Sequence, residues 1–92
     1  SHSQVSDFMK AFESRSLRPK LLLLKDFMDI DLLEEFISET DFIARQYALK
    51  QMVELLDLLK QDKNKFDFEN FHIHINKLDA LLSQFQHLVT PV

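Results

Sequence analysis

Between Asp41 and Lys60 the apolar residues recur so as to fill half of a helical circumference. At about 100° per residue, Phe42, Ala44, Ala48, Leu49, Met52, Val53, Leu55, Leu56 and Leu59 share one arc. Gln46, Lys50, Gln51, Glu54 and Asp57 lie opposite. An arc this wide needs neighbours on more than one side, so Asp41–Lys60 is expected to be the central helix of a bundle. Three apolar residues, Ile43, Tyr47 and Leu58, stand among the polar ones.

The flanking segments supply the cover. Val5, Phe8, Met9 and Phe12 fall at i, i+3, i+4 and i+7, one face of a helix over Gln4–Ser14 with Ser3 as N-cap. Pro19 suits the first turn of the next helix, where its missing N–H costs nothing. The run from Leu21 to Ile37 is apolar on several faces and is interrupted by Asp29 and Asp31. Asp31 and Glu34 have capping-box spacing, which predicts two helices, Pro19–Asp29 and Leu32–Ile37; one continuous helix to Ser38 is the alternative. Ser38-Glu39-Thr40-Asp41 reads as the cap of the central helix. That helix should end near Gln61, in a polar turn over Asp62–Lys65 with Asn64 as its left-handed residue.

The last element has the clearest period. Phe71, Ile75, Leu78, Leu82, Phe85 and Val89 advance by alternate fours and threes, and Leu81 and Leu88 widen the stripe. This predicts a helix over Phe68–Leu88, capped by Asp67 or Asn70 and ended by Thr90-Pro91. Phe66, Phe68, Phe71, Ile73 and Ile75 also nearly alternate, as in a strand. A lone strand has no pairing partner in this chain, so the helix is preferred.

Composition agrees. The 92 residues include no glycine, no cysteine and only two prolines. Without glycine, tight hairpins and phosphate-cradling loops lose their usual backbone chemistry. Without cysteine there is neither disulfide nor thiolate metal site, which fits a reducing, cytoplasmic location. The expectation is therefore an all-α fold: a single domain over residues 1–92, a small antiparallel bundle of four to five helices. Ser1-His2 reads as the remnant of a cleaved affinity tag, with residues 1–3 taken as remnant or disordered. No apolar run approaches the ~20 residues of a membrane span, and no signal peptide pattern is present.

Candidate chemistry is sparse. The net charge is −4, against the basic excess usual in nucleic-acid binders; only Arg15, Arg18, Lys20 and Lys25 cluster. His72 and His74 point roughly 160° apart on a helix and lack i+4 ligands, which leaves His72, His74 and Asp79 as a thin metal or acid–base set. The acidic run from Asp26 to Asp41 lacks the alternation and turn glycine of a calcium loop. Arg45 falls inside the apolar arc, where a guanidinium needs an acidic partner such as Asp29, Asp31 or Glu34, or a path along its stem to water.

The apolar intruders carry the functional expectation. Ile43, Tyr47 and Leu58 lie close in angle, and interfaces favour such anchors. Together with Arg45 they are the expected partner-binding residues of a small non-enzymatic interaction module: an adaptor, chaperone, inhibitor or regulatory subunit that forms a homodimer. No cofactor, metal or small-molecule substrate is indicated. The alternatives are an enzyme using His72, His74 and Asp79, and a nucleic-acid-binding regulator using Arg15, Arg18, Lys20 and Lys25.

Overall fold

The computed structural model describes residues 2–89, which form five helices: α1 (His2–Ser14), α2 (Leu17–Asp26), α3 (Ile30–Gln46), α4 (Lys50–Asn64) and α5 (Phe68–Val89). The described residues contain no strand, and the all-α bundle read from the sequence is the fold. His2 and Ser3, expected to be remnant or disordered, belong to the first turn of α1; Ser1 and Thr90-Pro91 lie outside the described residues.

Helices α2 to α5 run up and down. Ion pairs Lys63–Glu34 and Lys60–Asp41 set α3 antiparallel to α4, and Asp62–His74 does the same for α4 and α5. The α2–α3 and α4–α5 connections therefore lie at one end of a bundle 39 Å long and 22 × 20 Å across.

Helix α1 lies against α5, α2 and α3 and anchors the core with aromatic rings. Phe8 stacks on Phe12 at 5.9 Å and meets Phe85 of α5 edge-on at 6.1 Å. Phe12 in turn meets Phe36 of α3 edge-on at 6.2 Å. Such offset and edge contacts suit the ring quadrupoles, adding about 0.5–1.5 kcal/mol per pair beyond burial. Leu17, Leu21 and Leu24 are the buried stripe of α2, and Met52, Leu56 and Leu59 that of α4.

The main correction concerns the centre of the chain. The pattern predicts one helix over Asp41–Lys60; the structure divides it at Tyr47–Leu49. Ala48 takes φ 55°, its N–H bonds the Arg45 carbonyl at 3.2 Å, and Leu49 N–H bonds the Ala44 carbonyl at 2.9 Å. These are the two bonds of a Schellman helix end, and Leu49, Ile43 and Ala44 beside it are all buried. Conversely, the break expected at Ser38–Asp41 does not exist. Leu33, Phe36, Ile37, Thr40, Ile43 and Ala44 form one buried stripe of α3 that passes through it, so the helix expected to stop at Ile37 continues to Gln46.

The remaining boundaries shift less. A break does fall near Asp29, but Asp29 itself is the N-cap, accepting from Leu32 N–H at 3.1 Å. Asp67 caps α5 through Asn70 N–H at 3.1 Å, and Phe68–Ile75 is helical, with no extended part. The left-handed residue after α4 is Phe66, not Asn64: φ is 54°, and Asp67 N–H bonds the Asp62 carbonyl at 2.9 Å. Ser16 ends α1 in the same conformation. Among the described residues, a chain without glycine thus makes three left-handed turns on side-chain-bearing residues.

Candidate functional site

Much of the surface charge is spent on ties between helices. Lys20 bridges from α2 to Glu35 and Glu39 of α3 at 2.6 and 3.0 Å. Hydrogen bonding to Glu35, and next to Glu39, raises its ammonium above the ordinary lysine value. Lys25 reaches Asp79 of α5 at 2.8 Å. Arg18 pairs with Glu13, and the Arg15 guanidinium lies 5.4 Å from the Phe42 ring centroid. The four basic residues that cluster in sequence are thus each engaged with a different partner, three of them with carboxylates.

The histidine set is also dispersed into ties. His74 Nδ1 lies 2.6 Å from Asp62 Oδ2, a nearly buried pair joining the last turn of α4 to α5. Asp79 belongs to Lys25, and exposed His72 has its ring edge-on to Phe71 at 5.8 Å. Among the described residues no three His, Cys, Asp or Glu side chains gather as a metal-holding group.

The residues expected to bind a partner do not share a face, because the break at Ala48 removes the common helix. Ile43 is core, 1% exposed. Arg45 is not in an apolar arc and does not meet Asp29, Asp31 or Glu34. It lies on the surface, bonded to Asp41 at 3.0 Å and near Asp57 at 3.4 Å. The Asp41 hydrogen bond, followed by its charge, raises Arg45 above the ordinary arginine value. Lys60 joins the same two carboxylates, so Arg45 belongs to a network locking α3 to α4. Tyr47 is half-buried at the helix break, where its carbonyl accepts from Gln4 of α1 at 3.1 Å. Leu58 is the apolar member of the set that remains on an open face, with 37% of its surface exposed.

Other apolar residues are far more open. Of the nine phenylalanines, Phe8, Phe12, Phe36, Phe71 and Phe85 are buried, whereas Phe27, Phe42, Phe66 and Phe68 are exposed. Phe27 and Met28 occupy the α2–α3 connection, beyond the outward-facing Leu22 and Leu23 of α2. Phe66 and Phe68 flank the α4–α5 turn with ring centroids 6.3 Å apart. Both connections lie at the same end, so that end presents aromatic side chains from two loops, with Asp26, Asp29 and Asp31 exposed beside the first. The sequence offered a signal for the second group, an aromatic pair bracketing a polar turn, but periodicity assigns such residues to one strand or helix face.

A second open surface is the groove between α4 and α5, about 380 Å³ in volume. Its α4 wall is Gln51, Glu54, Leu55 and Leu58, and its α5 wall is Lys77, Ala80, Leu81 and Gln84. Both quartets have the spacing i, i+3, i+4, i+7, one helical stripe each. Ile73 and Leu88, about half exposed, extend the α5 stripe by one step of four at either end.

Among the described residues no helix is long and apolar enough to cross a membrane. Comparison of the chain with protein-family models, with curated proteins and with solved structures finds no match.

Proposed function

We propose that this protein is a small non-enzymatic interaction module of the adaptor, chaperone, inhibitor or regulatory-subunit kind, and that it docks a partner protein on the aromatic end of the bundle. The observation that carries the reading is Phe66. Its backbone holds φ 54° while 72% of its surface is exposed. A left-handed residue with a Cβ costs roughly 1–2 kcal/mol, and Phe66 returns none of that through core burial. Strain kept at an exposed aromatic is a mark of function rather than of folding. Phe27, 65% exposed on the neighbouring connection, and the adjacent carboxylates suit a partner segment that is apolar and basic. A cytoplasmic location, suggested by the cysteine-free composition, is part of the same reading.

Phe66→Gly separates function from folding. Glycine relieves the left-handed backbone at the cost of a more flexible unfolded chain, for a net gain of about 0.5–1 kcal/mol and a rise in Tm of about 2–8 °C. The same substitution should abolish the discrete adduct that a photo-crosslinker at position 27 or 68, but not at exposed Ser83, forms in the native host. A fall in Tm would make Phe66 a structural residue and remove the support for this surface.

A further inference from the structure

The α4–α5 groove carries a charge of each sign, one on each wall. Glu54 of α4 and Lys77 of α5 flank the apolar floor, and neither forms an ion pair among the described residues. Within one chain the groove separates them sideways, and they lie at different levels. In the antiparallel register marked by the Asp62–His74 pair, Leu58 is level with Lys77 and Gln51 with Gln84, which places Glu54 about four residues, or roughly 6 Å, along the axis from Lys77.

From this geometry we infer that the groove is a self-association seam occupied by a second copy of this chain, related by a twofold axis parallel to the bundle. That operation lays α4 of one copy over α5 of the other, antiparallel. It removes the sideways separation and leaves only the roughly 6 Å axial offset, which the two long side chains span together. Each Glu54 then faces the opposite copy's Lys77, twice per dimer, as an isologous interface requires. A twofold axis perpendicular to the helices would instead set Glu54 against Glu54 and Lys77 against Lys77, and is disfavoured by charge. Leu55 meets Ala80 and Leu81 across the seam and Leu58 lies level with the stem of Lys77, with Ile73 and Leu88 toward the ends.

The available area bounds the strength. A stripe from Ile73 to Leu88 is about 22 Å long, and two helices side by side are about 20 Å wide. Such a face covers about 440 Å² on each copy, or about 900 Å² over both, the size of a weak, transient interface. The dimer is therefore a weak one that dissociates on dilution. This surface is separate from the aromatic end, and either can fail without the other.

Sedimentation velocity over a dilution series from about 1 to about 500 µM, the span matching an interface of this size, tests the seam. Glu54→Lys and Lys77→Glu each place like charges across their own seam, so each variant alone should dimerise at least about tenfold more weakly. An equimolar mixture of the two restores both opposite-charge pairs and should form heterodimers at wild-type strength, as should the double variant with itself. Both residues are at the surface, and unchanged helical circular dichroism will show that the variants fold. A wild-type chain that stays monomeric at the highest concentration overturns the seam. So does a dimer insensitive to both charge reversals, or one lost on Phe66→Ser but kept by Glu54→Lys, which would move self-association to the aromatic end.

Discussion

Replacing Ala48 by glycine decides between two architectures for the middle of the chain, because they give opposite signs. In the structure Ala48 is exposed, carries only a methyl group and holds φ 55°. Its Cβ opposes the following carbonyl in this conformation, at a cost of about 1–2 kcal/mol that glycine does not bear. Against this stands the greater entropy of glycine in the unfolded chain, about 0.4–1 kcal/mol. The net is a stabilisation of about 0.5–1 kcal/mol. A domain of this size gains about 4–8 °C per kcal/mol, so Tm should rise by about 2–8 °C, with a matching increase in the urea midpoint and no change in m-value. If residues 41–60 formed the continuous helix that their periodicity suggests, glycine would sit in a helix interior and destabilise by about 1 kcal/mol. The two outcomes differ by about 1.5–2 kcal/mol, well outside the error of a denaturation experiment. A lowered midpoint for Ala48→Gly would refute the break and restore the long central helix.

Two further substitutions examine the interior and the surface ties. Thr40 is fully buried in α3, and its hydroxyl has no hydrogen-bond partner; Thr40→Val removes an unsatisfied group at nearly constant volume and should stabilise by about 1 kcal/mol in urea unfolding. A loss of stability instead would mean that the hydroxyl bonds back to a carbonyl in its own helix. Lys20 titrates above the ordinary lysine value because Glu35 and Glu39 favour its charged form. A raised folded-state pKa contributes stability that is fully present below the unfolded lysine value and is lost as pH rises through the folded one. Wild type should therefore exceed Lys20→Met in urea midpoint at about pH 8, and the difference should shrink by about pH 11.5; a constant difference would mean that the lysine stem, not its charge, does the stabilising.

Periodicity made the two end helices legible because each has one buried face and unambiguous polar limits. Every residue of the α1 stripe, Val5, Phe8, Met9 and Phe12, is core, and α5 runs one residue beyond its expected end. The centre was harder for a physical reason. The stripe Leu33–Phe36–Ile37–Thr40–Ile43–Ala44 and the stripe Met52–Leu56–Leu59 both obey the helical period, and their phases nearly join across residues 41–49. The break falls where the two patterns meet, on alanine, the residue with the highest helix propensity. The strongest local breaking signals, glycine and proline, are missing there, and the Schellman end of α3 goes with the burial of Leu49 in the core of the bundle. That is a tertiary cause, and it is invisible in the local sequence. Its side effect was to scatter Ile43, Arg45, Tyr47 and Leu58, which share a face only on an unbroken helix.

The same limit explains why the aromatic end escaped notice while part of the groove did not. Helical periodicity reports the residues a helix buries and, by subtraction, apolar residues standing on its polar side; Leu58 was found in that way. Phe27 and Phe66 lie in connections, where there is no period to violate. What marks Phe66 is a conflict between levels: a left-handed backbone that favours glycine or asparagine, occupied by a large apolar side chain that the core does not use. Ser16 and Ala48 make the same turn with small side chains, so the fold itself asks for nothing as large as phenylalanine at this step. The bulk at position 66 is therefore explained by something outside the bundle, which is why the interaction reading rests on that residue.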